Sequence, residues 1–259
     1  MLLHHLHRGE GPPVILLHGL FGSAANLGMV ARGLADRFSV FSLDLPNHGK
    51  SPRRASMGYA DMARDVAVFI ERHSLAPCHV LGHSMGGKVA MQLALDRPDC
   101  VNRLIVADIA PVQYPAHHDH VLAGLQDLAK AAPSDRKQAD RLLGHHVMDA
   151  GVRAFLLKSW QRDSSGQWRW LIDVDNVITN YARLGEPNRP GGAADHFSGS
   201  TLFIAGSQSD YLRPEHRETI LALFPKARVK IIQGTGHWLH AEKPQLFNRL
   251  AGRFLAAED

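Results

Sequence analysis

The chain has 259 residues, of which 45% are apolar and 21% charged, and it carries a net charge of +4. That length suits one large α/β domain or two small ones, and that composition is ordinary for a globular protein. Lys and Arg form no dense run, which argues against a nucleic-acid surface, and no stretch approaches the roughly 20 apolar residues that span a bilayer. The two cysteines, Cys78 and Cys100, read as free buried thiols of a reducing compartment. Residues 1–6 lack the charged leader and long apolar core of a secretory signal, so a cytoplasmic location is expected.

Strands and helices alternate from the start, the pattern of a parallel sheet covered on both faces. A buried strand over 14–17 ends at His18-Gly19, a short helix follows over 27–34, and a second strand over 39–44 runs into the loop 46–51. Met62, Val66, Phe69 and Ile70 recur at helical spacing within 59–73. A strand over 78–81 and a helix over 88–95 flank the segment Gly82-His83-Ser84-Met85-Gly86, and a further strand spans 103–108. The rhythm then changes. From 112 to 194 no comparable buried strand occurs; Val121, Leu122, Leu125 and Leu128 recur helically, and Gln167-Trp168-Arg169-Trp170 alternates like a short extended piece. The far end, Glu186-Pro187-Asn188-Arg189-Pro190-Gly191-Gly192, is a breaker-rich linker. We read this block as a helical insertion placed as a lid. The α/β pattern resumes with strands over 201–205 and 228–232, a helix after Pro214, and a closing helix from about 244.

Gly82-His83-Ser84-Met85-Gly86 between a strand and a helix places a serine on a sharp turn, the nucleophile elbow of an acyl-transfer enzyme. The two glycines remove side chains that would collide there, and the helix that follows aims its free amides and positive end at charge developing beside Ser84. A serine hydroxyl needs a base. His237, in Gly234-Thr235-Gly236-His237-Trp238 beyond the last strand, fits by its place in the order nucleophile, acid, histidine. Two acids follow strands of the same sheet, Asp108 and Asp210, and the residues alone leave them nearly even. The oxyanion needs two amides: Met85, the residue after the nucleophile, and one from His18-Gly19-Leu20-Phe21-Gly22, with Leu20 ahead of Phe21.

These motifs resemble the α/β-hydrolase superfamily, and more narrowly the YbfF-type esterases. The matching pieces are His18 to Ser23, Asp44-Leu45-Pro46-Asn47-His48-Gly49-Lys50-Ser51, Gly82 to Lys88, Asp108-Ile109-Ala110-Pro111-Val112 and Gly236-His237. The insertion matches only loosely, apart from Trp168-Arg169-Trp170. The resemblance implies a mostly parallel, doubly wound sheet with a helical cap inserted after the sixth strand, divided as core 1–111, cap 112–195 and core 196–259. It also implies Asp108 as the acid and Ser209 as an auxiliary hydroxyl near Asp108 and His237, with Asp210 as the rival acid beside it. The implied activity is serine carboxylesterase action on small to medium acyl esters, with no cofactor and no metal. Acyl-CoA thioesters or carbon–carbon bonds are alternative targets of the same residues, and a non-catalytic binding scaffold is a different class. The expected partner is a small-molecule ester, with no nucleic acid and no membrane insertion, and the protein is expected to be a monomer or homodimer.

His117, His118, Asp119 and His120 look like a metal cluster, but adjacent side chains on a helix diverge, so they read as solvated residues at a helix start. Asn47 and His48 read as braces of their loop. Trp160, Trp168, Trp170 and Tyr181 either pack the insertion or line a pocket; Trp160 and Tyr181 are carried forward as substrate-binding, with Trp238 the aromatic most directly placed beside the base.

Overall fold

The computed structural model describes residues 2–191 and 195–257. Met1, Gly192 at the end of the expected linker, and Ala194 at the edge of the expected insertion lie outside the described residues. In chain order the first half contains β1 (His5–Arg8), β2 (Pro13–Leu17), α1 (Gly28–Leu34), β3 (Ser39–Leu43), α2 (Tyr59–Arg72), β4 (Cys78–His83), α3 (Met85–Asp96) and β5 (Val101–Ala107). The insertion holds α4 (Asp119–Ala131), α5 (Arg136–Leu143), α6 (Ala150–Leu156), β6 (Trp160–Arg162), β7 (Trp168–Trp170) and α7 (Val174–Leu184). The chain closes with β8 (Ser200–Gly206), α8 (Arg217–Leu223), β9 (Ala227–Ile232), α9 (Leu239–Glu242) and α10 (Pro244–Leu255).

Seven strands form one sheet in the order β1-β3-β2-β4-β5-β8-β9, parallel except for β1, which runs antiparallel to β3. The edge strand β1 is not legible in the sequence: His5-Leu6-His7-Arg8 is short and largely polar. The insertion follows the fifth strand of the chain, not the sixth, because the residues ahead of Pro13 accommodate a single antiparallel edge strand. The alternating segment around Trp168 does become extended: β7 pairs antiparallel with β6, Trp160 opposite Trp170.

The pleat divides the core in two. Ile15, Leu17, Leu104 and Val106 face one side with Val66, Phe69 and Ile70 of α2 and Val89 and Leu93 of α3. Val14, Leu16, Ile105 and Ala107 face the other with Val30 and Leu34 of α1 and Phe247, Ala251 and Leu255 of α10. Strict alternation within strands buried on both faces yields the continuous apolar runs seen in the sequence. Cys78 and Cys100 are buried free thiols, and burial pushes the Cys78 thiol up to about 12, which keeps it protonated.

Register sets the working edge. Leu17 lies opposite Gly82, His83 opposite Ala107, and Ala107 opposite Ile204, so β2, β4, β5 and β8 end level with one another. Two further bonds carry the ladder past the strand ends: Ser84 N–H donates to Ala107 O at 3.0 Å and Asp108 N–H to Ile204 O at 2.8 Å. Four loops therefore leave the sheet side by side at its carboxyl edge, where ligand crevices of open α/β sheets lie.

Candidate active site

Ser84 sits between β4 and α3 with φ 54° and ψ −122°, a backbone conformation that non-glycine residues seldom adopt. The glycines beside it are required by contact. A Cβ on Gly82 would lie 2.1 Å from the Gly86 carbonyl oxygen, and one on Gly86 would lie 2.3 Å from that of Leu17. The loop 18–22 comes equally near, since a Cβ on Gly19 would lie 3.2 Å from the Ser84 Cβ.

Asp108 also has a positive φ, 54°, at the end of β5, and its side chain is fully buried. Three donors converge on its carboxylate. The Gly206 amide reaches Oδ1 at 3.0 Å, the Ser209 hydroxyl donates to Oδ2, and His237 Nδ1 lies 2.7 Å from Oδ2. A carboxylate facing Nδ1 selects the tautomer with its proton there and leaves the Nε2 lone pair free to act as a base. Ser84 and His237 line the same cavity, of about 480 Å³, together with Phe155 and Trp238.

Asp210 does not join them. Its side chain is 89% exposed and lies 3.4 Å from Arg213, so the rival acid is a solvated surface residue. The alternative amide is also occupied: Phe21 N–H donates to His48 Nε2 at 3.3 Å. Leu20 N–H, by contrast, donates to no protein acceptor among the described residues. Met85 opens α3, so its amide is one of the four donors a helix leaves without an intrahelical partner.

Two buried histidines hold the loops that carry these groups. His18 Nδ1 donates to the Gly19 carbonyl at 2.8 Å while its Nε2 accepts from Leu45 N–H at 3.0 Å. His48 Nδ1 likewise donates to the Pro46 carbonyl at 2.9 Å and accepts through Nε2. Burial, with His18 adjacent, pulls His48 down to about 3, so both of its nitrogens keep these roles at neutral pH. The bracing role expected for His48 thus extends to the loop of Leu20.

Other residues at the site were given no role there by the sequence, although His83 lies within the elbow motif and His117 and His118 within the histidine cluster. His83 Nε2 donates to the His237 carbonyl at 2.8 Å; burial, then the nearby His240 and His237, hold its imidazole well below the usual range. His117, exposed, and His118, half-buried at the N-cap of α4, stand at the helix start as expected, but both also line the cavity. His118 Nδ1 lies 2.6 Å from the Tyr181 hydroxyl, which also accepts the amides of His117 and His118 at 3.2 and 2.9 Å. Burial, then His117, pulls His118 down to about 4.

Of the expected pocket aromatics, Trp238 lines the larger cavity, with its ring 6.0 Å from that of His237. Tyr181 lines a smaller hollow of about 80 Å³ that shares Ser84 and Leu20 with the larger cavity, beside Met85, Lys88 and Tyr114. Trp160 lines neither. It is 1% exposed and packs edge-on against Trp170 at 5.0 Å, within the same buried cluster that covers one face of the sheet.

A family model described as the alpha/beta hydrolase fold matches residues 12–244. The chain is 38% identical over 245 residues to the esterase YbfF of Escherichia coli, covering 94% of this chain and 92% of that one. It is 36% identical over 259 residues to an sn-1-specific diacylglycerol lipase, ABHD11, of Mus musculus, covering 95% and 81%. Among solved structures, a marine microorganism esterase superposes with a TM-score of 0.92 at 36% identity, covering 98% of this chain and 99% of that one. The chain belongs to the α/β-hydrolase family, in the branch of the YbfF-type esterases.

Proposed function

We propose that this esterase is a serine carboxylesterase acting on small to medium acyl esters through an acyl-enzyme. Family and branch make the chain a hydrolase of ester bonds. The finer reading rests chiefly on one observation, the 2.7 Å contact that turns His237 toward Asp108 while its ring shares a cavity with Ser84.

In this reading Ser84 Oγ attacks the acyl carbonyl carbon and His237 Nε2 takes the hydroxyl proton. Asp108 holds the ring and stabilises the imidazolium, with Ser209 and Gly206 fixing the carboxylate. The amides of Leu20 and Met85 receive the oxyanion. Collapse of the tetrahedral adduct breaks the bond to the alcohol oxygen, which takes the proton back from His237 Nε2. Water then repeats the sequence on the acyl-enzyme and releases the acid.

The two hollows divide the substrate. The departing alcohol must lie beside His237, which lines the larger cavity and not the smaller. The acyl chain then enters the smaller one, of about 80 Å³, which suits a short chain better than a long one. The insertion supplies His118, Val121 and Phe155 to the larger cavity and Tyr114, Leu184 and Gly185 to the smaller, which supports reading it as a cap over both. No helix among the described residues is long and apolar enough to cross a membrane, in keeping with a small-molecule ester as partner.

The test is a fluorophosphonate probe with a panel of p-nitrophenyl esters and acyl-CoA thioesters, read as relative kcat/KM. Labelling at Ser84 with preference for oxygen esters supports the proposal. A folded protein that is not labelled would reject it in favour of a binding scaffold, and a preference for thioesters would move it to the thioesterases.

A further inference from the structure

Lys88 lies on α3 four residues past Ser84, 1% exposed, and the reaction outlined above does not use it. Its ammonium donates to the carbonyl of Val112 at 2.5 Å and to that of Glu186 at 2.8 Å. It also stands 5.5 Å from the ring centre of Tyr59 and 5.2 Å from that of Tyr114. No carboxylate among the described residues is within ion-pair distance of it. Burying a cation without a counter-ion is unfavourable, and burial pulls this amine down to about 7. An apolar side chain of similar length would fill the space without that cost, so the donors are what distinguish Lys88.

Val112 and Glu186 are the two stems of the cap. The chain leaves the core at the first and returns at the second. The same helix grips the returning stem further along: Gln92 Nε2 donates to the Arg189 carbonyl at 2.7 Å, and Asp96 Oδ1 accepts from the Gly191 amide at 3.0 Å. Asn188 closes the set by donating to the Lys88 carbonyl at 2.8 Å. The stems in turn wall the small hollow beside Ser84, through Tyr114, Pro115, Leu184 and Gly185.

We propose that Lys88 is a positioning residue that holds both stems of the cap against the nucleophile helix and thereby sets the acyl length the small hollow accepts. This rests on the acyl-enzyme reading and on the assignment of the small hollow to the acyl chain. Lys88 lines the hollow itself and holds its other walls through Val112 and Glu186, and it takes no part at the reacting atoms. Without its donors the Val112 and Glu186 carbonyls lose their partners on α3, the stems separate from that helix, and the hollow lengthens between Tyr114 and Leu184.

The experiment compares wild type, Lys88→Met and Lys88→Arg on acetyl, butyryl and octanoyl p-nitrophenyl esters, with fluorophosphonate labelling of each. Lys88→Met should still label at Ser84 but raise the octanoyl-to-acetyl ratio of kcat/KM by about tenfold, mostly through KM. Lys88→Arg keeps a cationic donor for both carbonyls and should stay within about threefold of the wild-type ratio. An active, labelled Lys88→Met with the wild-type ratio would overturn the proposal, as would Lys88→Arg behaving like Lys88→Met. If wild type itself is neither labelled nor active, the acyl-enzyme reading fails instead. Should Lys88→Met not fold, Gln92→Leu releases the returning stem alone, away from the hollow. It should shift the ratio the same way and speed proteolytic cleavage within 186–191; no change in either would count against the stems as the determinant.

Discussion

The ring of Tyr211 stacks on that of His237, with centroids 4.2 Å apart and planes 28° from parallel. The Tyr211 hydroxyl lies 2.5 Å from His117 Nε2, and its amide donates to Ser209 Oγ at 3.3 Å. One residue thus spans the histidine, the insertion and the hydroxyl beside Asp108, the last through its main-chain amide. Removing the ring in Tyr211→Ala should lower kcat by about tenfold, the scale of an aromatic pair near 1.4 kcal/mol. Tyr211→Phe keeps the stack and should stay within about threefold. Steady-state kinetics on one ester checks both; equal losses would place the effect in the hydroxyl instead of the ring.

Asp108 and Asp210 make opposite predictions. Asp108→Asn removes the acceptor that selects the His237 tautomer and should lower kcat by about 10³–10⁴-fold. Asp210→Asn removes only an exposed contact with Arg213 and should change kcat by less than about threefold. Parallel kcat measurements decide between the two acids, and a collapse in the second variant would reverse the assignment.

His48 predicts a pH effect on stability. Its folded pKa of about 3 lies below the unfolded value near 6.5, so the unfolded chain binds more protons between them. The stabilisation is therefore complete above about pH 6.5 and is lost as pH falls toward 3, by about 1.4 kcal/mol per pH unit. Urea unfolding of wild type and His48→Asn should show wild type ahead at pH 7 and the gap narrowing by that slope at pH 5. A constant gap would mean that His48 is charged in the folded protein.

Gly86→Ala tests the elbow itself. The new methyl meets the Leu17 carbonyl at 2.3 Å, in a backbone that has no room to yield. A loss of about 1–3 kcal/mol by denaturant unfolding is expected, with activity falling alongside. Ser84→Ala should separate the two, abolishing turnover while leaving the unfolding midpoint nearly unchanged.

Much of the fold was legible because its central strands are buried on both faces and therefore continuously apolar, as in Val14-Ile15-Leu16-Leu17. The elbow was legible because close approach of backbone allows only glycine at positions 82 and 86. The polar edge strand at His5–Arg8 carries no such signature. Residue types alone could not separate Asp108 from Asp210, since burial distinguishes them and burial follows from register; the family resemblance favoured the first. Tyr211 and His118 belong to no catalytic motif and reach the site only because the insertion and the loop after β8 fold over it, while His83, inside the elbow motif, is placed there by the end of β4. Trp160 could not be told from a pocket residue, since a tryptophan serves a small core and a ligand equally well.

The cap is fastened to α3 through main-chain carbonyls, those of Val112, Glu186 and Arg189. Such bonds make no demand on which side chains stand at those positions. A foreign lid of different length or composition could therefore be grafted between them, provided its two ends arrive in the same extended path. Chimeras joined at these seams would keep the grip of Lys88 and Gln92 while exchanging the walls around the substrate.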